Sequence, residues 1–220
     1  MVQLTADDGP VTILSALRVL AARLRSRPDT APRATPVTAA ADDLDAAARE
    51  HDTATWDRLA ASGGIVFADE VEDEQIAEIA RHVRVLVKGD RTSDLYVQLF
   101  AEAPSTTTKG VATEEQARLA RLLLDRLSTP AYAPLASLVP ALRAARAGVE
   151  AAQDHHAKCE ERELRAWNVL QARERTARDA FNGVEPRLRI LVPGEKRKVE
   201  SFFPTTGRKK KAAAAGTPTE

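Results

Sequence analysis

The segment from Leu135 to Phe181 constrains the fold more than any other feature of this sequence. It contains one glycine, Gly148, and one proline, Pro140, and that proline falls in the first turns. A segment with so few helix breakers predicts a single helix of about 45 residues, near 70 Å long at about 1.5 Å per residue. A heptad register along this helix places polar residues in the seam, which favours packing on several different neighbours over a uniform coiled coil. These polar seam residues are His156, Glu163 and Arg173.

The composition of the 220 residues agrees with a helical chain. Aromatic residues make up 4%, charged residues 29%, and there are 10 glycines. Alanine, leucine, arginine and glutamate dominate, which is typical of long helices. A β-sandwich or a parallel-sheet enzyme requires β-branched and aromatic runs with frequent turns. We therefore predict an all-α protein, an antiparallel helical bundle with one long helix at about residues 135–182.

Helix breakers and composition shifts divide the chain into four predicted parts. Residues 1–27 carry an amphipathic helix. Residues 28–37 contain three prolines at every fourth position, which predicts a linker and a first helix that is mobile and detachable. Residues 38–204 are predicted to form the bundle. Residues 205–220 are too poor in large apolar residues to fold and are predicted to be a disordered basic tail.

Local signals inside the bundle predict where its helices begin and end. The segment Thr113-Glu-Glu-Gln116 has the spacing of a capping box. Gly63-Gly64 is expected to end a helix, the acids of residues 69–73 to open the next one, and residues 65–67 to plug the core between them. The predicted core consists of Leu44, Trp56, Leu59, Ile76, Ile79, Val83, Leu95, Leu99, Phe100, Leu119, Leu122, Leu123, Leu138, Leu142, Leu164, Trp167 and Leu170.

The 32 basic and 32 acidic residues balance, but they are unevenly distributed. Residues 40–80 carry a net charge of −10 and residues 187–220 a net charge of +6. Segments of opposite charge can attract each other or face different partners. The acidic segment also fits an ordinary solvated surface, because acids at a helix N-terminus are favoured by the helix dipole. The alternative for Glu70, Glu72, Asp73 and Glu74 is that they act as paired catalytic acids. We prefer the interpretation as a solvated helix N-terminus for these four residues.

Seven basic residues near the C-terminus are the sharpest chemical feature of the sequence. They predict contact with nucleic acid or with another acidic partner, because a cationic segment neutralises phosphates without sequence preference. The alternatives are a solubilising tail, an intramolecular clasp on the acidic segment, and an anionic membrane surface. The candidate contact residues are Lys196, Arg197, Lys198, Arg208, Lys209, Lys210 and Lys211.

One cluster has metal-ligand chemistry. On a helix, His155 and Cys159 are four residues apart, as are His156 and Glu160, so either pair offers two ligands. A metal site needs three or four converging donors, and the sequence lacks metalloprotease and paired-cysteine spacings as well as phosphate loops and nucleophile elbows. We therefore expect no metal, no cofactor and no enzymatic activity, with these four residues as the candidates if a metal binds.

The remaining expectations concern location and function. We predict a cytoplasmic protein without a transmembrane segment, because the sequence has one cysteine, no long apolar window and an N-terminus unlike a secretory signal. The excess of arginine over lysine is typical of bacterial proteins. The predicted function is that of a non-catalytic helical interaction or scaffold protein, which acts through its helical surface and charged ends and self-associates as a homodimer. The alternative is an accessory nucleic-acid-binding protein without sequence specificity. A third hypothesis is a metal-dependent helical-bundle enzyme that uses His155, His156 and Glu160.

Overall fold

The computed structural model describes residues 3–100, 104 and 111–204, and within them every regular element is a helix. The prediction of an all-α helical bundle is confirmed. The tail residues Arg208, Lys209, Lys210 and Lys211 lie outside the described residues. The elements are α1 (Pro10–Arg25), a 3-10 helix (Ala31–Arg33), α2 (Ala34–Leu86), α3 (Asp94–Leu99), α4 (Glu114–Leu127), a second 3-10 helix (Pro130–Leu138), α5 (Val139–Asn182), α6 (Val184–Leu191) and α7 (Lys196–Glu200).

Helix α2 is the largest departure from the expected helix boundaries. It runs for 53 residues without a break at Gly63-Gly64, so the predicted end of a helix there is wrong. Glycine in a helix interior costs only about 1 kcal/mol relative to alanine, which the burial of the neighbouring turns offsets. The helix also begins at Ala34, inside the expected linker, because Pro36 falls in its first turn, where its missing N–H costs no hydrogen bond.

Helix α5 confirms the prediction of one long helix. It has 44 residues and begins at Val139, four residues later than expected. The preceding segment forms the second 3-10 helix, in which Pro134 removes a backbone donor. No helix in the described parts of the chain is both long and apolar enough to cross a membrane.

The chain divides into two compact units, and α2 and α5 contribute to both. Unit 1 takes residues 1–52 and 165–220, and unit 2 takes residues 53–164. The sequence of unit 1 contains 19 basic and 14 acidic residues, whereas that of unit 2 contains 13 basic and 18 acidic residues. The net charges of the two units are therefore +5 and −5.

The core of unit 1 is built around α1. Leu17 and Leu20 on this helix are fully buried and belong to the same apolar cluster as Phe181 of α5 and Leu188 of α6. The Asn182 side chain also accepts a hydrogen bond from the Leu4 amide at 3.1 Å and donates one to the Leu4 carbonyl at 3.0 Å. The first helix therefore differs from the expected detachable element, since its apolar face is part of the core.

Unit 2 packs short helices against antiparallel segments of α2 and α5. The antiparallel arrangement follows from two ion pairs, Arg58 with Glu163 and Glu72 with Arg146. The capping box is confirmed at the start of α4, where the Thr113 hydroxyl accepts a hydrogen bond from the Gln116 amide at 3.2 Å. The largest apolar residues of this core are Ile76, Ile79, Tyr96, Leu99, Phe100, Leu123, Leu127, Tyr132, Leu135 and Leu142.

Four predicted core residues are exposed instead of buried, and a fifth, Leu122, is half-buried and belongs to neither core cluster. Trp56 is 70% exposed and Leu164 is 60% exposed, and Leu59 and Trp167 are each nearly half exposed. In unit 2 the inward face of α2 is instead occupied by Ala54 and Ala61, which are buried. Small residues on the inward side let two helices approach closely. Periodicity alone assigned the large residues of α2 to the core, whereas the structure places the small ones there. Residues 65–67 are likewise helical, and Phe67 is 68% exposed rather than plugging the core.

Candidate functional site

The metal-ligand candidates are only partly brought together. The His155 Nε2 atom lies 3.8 Å from the Cys159 Sγ atom, one turn apart on α5, with Cys159 buried and His155 exposed. No hydrogen bond in the described part of the chain joins His156 or Glu160 to this pair. Across the described residues, no group of three or more histidine, cysteine, aspartate or glutamate side chains is arranged to hold a metal ion. The cluster therefore offers a two-residue contact and not a coordination site.

A buried ion pair lies in the core of unit 2, where the sequence predicted a solvated acidic run. The Arg146 Nη1 atom donates to the Glu72 Oε2 atom at 3.0 Å, and the two side chains are 5% and 0% exposed. The second carboxylate oxygen of Glu72, Oε1, is buried and has no hydrogen-bond partner. Removing one partner of such a pair strongly destabilises the fold, because it leaves an unpaired charge in a medium of low dielectric.

Two further carboxylates of α2 lie beside this pair. The Asp69 carboxylate accepts the amide of Ala112 at 2.9 Å, and the Asp73 carboxylate accepts Gln116 Nε2 at 3.1 Å. Burial raises the pKa of Glu72 against the opposing effect of Arg146, and burial together with the Asp69 charge raises the pKa of Asp73 to about 6. The carboxyl groups of Glu72 and Asp73 therefore favour the protonated state more than exposed carboxyl groups do.

The dipole explanation of this acidic run is wrong, because residues 69–73 lie in the middle of α2 and not at its N-terminus. The sequence did contain a signal for the burial. Asp69 and Glu72 continue, at steps of three and four residues, the apolar stripe of Ile76, Ile79 and Val83. A charged residue that extends a buried stripe predicts a buried partner. Here that partner is Arg146, and the pair joins α2 to α5 within unit 2.

The predicted basic segment of residues 196–198 lies in unit 1 beside the end of α1. The Arg23 guanidinium donates to the carbonyl of Ser201 at 3.0 Å and also to that of Phe203. The Arg27 guanidinium lies 5.4 Å from the centre of the Phe202 ring, a cation–π distance. These contacts bring one arginine of α1 and one that follows this helix to the segment that immediately precedes residues 205–220.

Two more arginines of unit 1 border one small depression. Arg33 and Arg187 line a pocket of about 40 Å³ together with Val37 and Val184. Lys196 and Lys198 are partly neutralised, by Glu200 at 4.0 Å and Glu195 at 3.2 Å. In the described residues, Arg33, Arg187 and Arg197 have no acidic partner. We define the basic end of unit 1 as Arg23, Arg27, Arg33, Arg187, Lys196, Arg197 and Lys198.

An exposed apolar face runs along α2 in unit 2, opposite the side that packs on the core. Trp56, Leu59, Val66 and Phe67 all point to solvent on this face, around the exposed Gly63. Their spacing of three and four residues places them on one side of the helix. We define the α2 face as Trp56, Leu59, Ala60, Gly63, Val66, Phe67 and Glu70.

Phe67 also borders a groove of about 350 Å³ within unit 2. Val71 of α2 and the small residues Ala144 and Gly148 of α5 line its walls. A groove lined by small residues next to an exposed aromatic ring has room for apolar side chains.

The described residues therefore include two exposed surfaces of different chemistry, the cationic basic end of unit 1 and the apolar α2 face of unit 2. Sequence patterning found part of the first and assigned the second to the core. Exposed apolar patches of a few hundred Å² on a folded chain are often functional. Comparison with protein-family models, curated proteins and solved structures found no match to this chain.

Proposed function

We propose that this protein is a non-catalytic interaction or scaffold protein that recruits partners through its helical surface and its charged ends. The observation that carries the proposal is the α2 face, on which Trp56 and Phe67 are each about 70% exposed. Aromatic side chains are the most frequent anchors of protein interfaces, because each removes a large apolar area from water at a small entropic cost.

Capture of partners from the native cell tests this proposal. The bait is the full-length chain, compared with the double variant Trp56→Glu/Phe67→Glu. We expect proteins retained by the wild-type bait to be lost at least tenfold with the variant, because a charge cannot enter a dry apolar contact. The matched control is Val85→Glu/Val97→Glu, at two other exposed apolar positions of unit 2. Equal retention by all three baits would contradict the proposal.

The second candidate function is accessory binding of nucleic acid without sequence preference. What favours it is the gathering of cations from α1, α6 and α7 at the basic end of unit 1. This end directly precedes Arg208, Lys209, Lys210 and Lys211 in the sequence. Each additional basic residue that contacts a phosphate adds to the affinity and steepens its dependence on salt.

A gel-shift titration of duplex DNA and RNA tests the second function. We expect binding by the full-length chain that weakens by at least tenfold between about 50 and 200 mM salt, because bound phosphates release their counterions. The variant Arg33→Ala/Arg187→Ala/Arg197→Ala should weaken binding at least fivefold. The control Lys88→Ala/Arg91→Ala removes two exposed cations of unit 2 and should leave binding unchanged. The absence of any shift at low salt would exclude nucleic-acid binding by this end.

A further inference from the structure

The two adjacent glycines of α2 have no steric explanation within the chain. A Cβ atom built on Gly63 or on Gly64 would meet nothing within 4 Å. Each glycine nevertheless makes the helix less stable than an alanine at the same position would. Glycine is required where another backbone approaches a helix closely. Gly63 lies in the middle of the α2 face, which makes this face the place for such an approach.

The α2 face is complementary to itself when it is turned by 180° about Gly63. In an antiparallel pair of α2 helices that cross at Gly63, Phe67 of one copy lies opposite Leu59 of the other. Val66 lies opposite Ala60, and the two Gly63 residues lie opposite each other. Such a twofold contact repeats each pairing twice and closes after two copies. Bulky residues then flank a crossing point that has no side chains, so the backbones can come together.

The polar edge of the face follows the same symmetry. Trp56 and Glu70 are each seven residues from Gly63, so the antiparallel pair places them opposite each other. Within the described residues, neither the Trp56 indole N–H nor the Glu70 carboxylate has a hydrogen-bond or ion-pair partner. An indole N–H is a donor and an ionised carboxylate is an acceptor, so the two groups can satisfy each other across the contact.

The exposed apolar area of the α2 face has the size expected for a weakly associating dimer. From their fractional exposures, the four large side chains leave on the order of 400 Å² of apolar surface in water, the size of the largest patch on a typical monomer. Two copies would cover roughly 800 Å² with these side chains alone, against about 1,200 Å² for a stable interface. The helix backbone and Ala60 supply the remainder. A contact this small is typical of weak and transient interfaces, so we expect an affinity on the order of 10 µM.

We propose that a second copy of this chain covers the α2 face, with the two α2 helices antiparallel and crossing at Gly63. The proposal rests on the proposed function, because it names the occupant of the same interaction surface. It also gives the expected homodimer a specific contact, made by unit 2.

Sedimentation of the full-length chain tests the contact. We expect a reversible increase to twice the 23.8 kDa chain mass between about 1 and 200 µM. The variant Gly63→Leu should raise the dimer dissociation constant at least tenfold, because the new side chains collide at the crossing point. The matched control is Gly64→Leu, which makes the same change about 100° around the helix and should shift the constant less than threefold. Equal effects of the two substitutions would overturn the proposal.

Cross-linking tests the orientation. In a Cys159→Ser background, Leu59→Cys and Phe67→Cys chains are treated with a short bismaleimide, separately and mixed. We expect the mixture to give the cross-linked dimer and each variant alone to give little. An antiparallel pair brings residue 59 of one copy to residue 67 of the other. Efficient cross-linking of each variant with itself would mean a parallel pair and would overturn the proposal.

Two results separate this inference from the proposed function. A chain that stays monomeric at 200 µM overturns self-association, while loss of captured partners with Trp56→Glu/Phe67→Glu would still support recruitment of a different protein. A dimer that dissociates at about 0.5 M salt also overturns the inference. Salt screens a charged contact, such as one between the basic tail and an acidic surface, but it does not weaken an apolar contact. A dimer that persists in salt and is weakened by Gly63→Leu supports it.

Discussion

Replacing Arg146 with methionine is expected to lower the free energy of unfolding by about 3–5 kcal/mol, measured by urea titration followed by circular dichroism. The substitution leaves the fully buried Glu72 without the guanidinium that lies 3.0 Å from its carboxylate. One oxygen of that carboxylate already lacks a partner. Removal of Arg146 therefore leaves a carboxylate with neither a counter-charge nor water around it.

The loss should depend on pH in a defined direction. Burial raises the pKa values of Glu72 and Asp73, the latter to about 6, so the folded chain binds these protons more tightly than the unfolded chain. The free energy of unfolding that comes from these groups therefore falls as the pH rises from about 4 through 6. We expect Arg146→Met to cost less at pH 5 than at pH 8, because a protonated Glu72 needs no counter-charge. An equal loss at both values would argue against a buried charge.

The matched control removes both partners of the pair. The double variant Glu72→Met/Arg146→Met should lie within about 1 kcal/mol of the wild type or exceed it, because well-packed apolar residues often replace a buried ion pair without loss. If the double variant is as unstable as Arg146→Met, the destabilisation comes from lost packing and not from an uncompensated charge.

Replacing Phe181 with alanine is expected to cost about 3–5 kcal/mol, the range for a large aromatic side chain removed from a core. Phe181 is fully buried in unit 1, and its ring packs edge to face on Phe203, with centres 5.3 Å apart. The same cluster contains Leu17 of α1 and Leu188 of α6. The cavity would therefore weaken the packing of three helices at once.

Ile190→Ala serves as the control for Phe181→Ala. Ile190 lies on α6 in the same unit and is 80% exposed. Its truncation removes an apolar side chain without leaving a cavity, so we expect a change below about 0.5 kcal/mol. A similar loss for both substitutions in urea unfolding would contradict the placement of Phe181 in the core.

Local sequence signals predicted the helical elements well where a single residue governs the backbone. Thr113 caps α4 as its spacing with Gln116 predicts, and the few breakers after Leu135 predict the long α5. The predicted helix end at Gly63-Gly64 was wrong, because glycine in a helix lowers the helix stability only slightly. Burial on neighbouring turns of α2 outweighs that cost, and burial depends on parts of the chain that are distant in sequence.

The sequence by itself determined the helical class, the long helix and the location of the basic segment, because periodicity, capping and composition act over a few residues. Only the tertiary structure decided which face of each helix is buried. It placed Glu72 inside and Trp56 outside, against their usual preferences. The physical reason is that a helix of 53 residues carries more than one apolar stripe. The stripe that faces the core is chosen by its fit to the neighbouring helices: small alanines allow close packing, and Arg146 compensates the buried charge of Glu72.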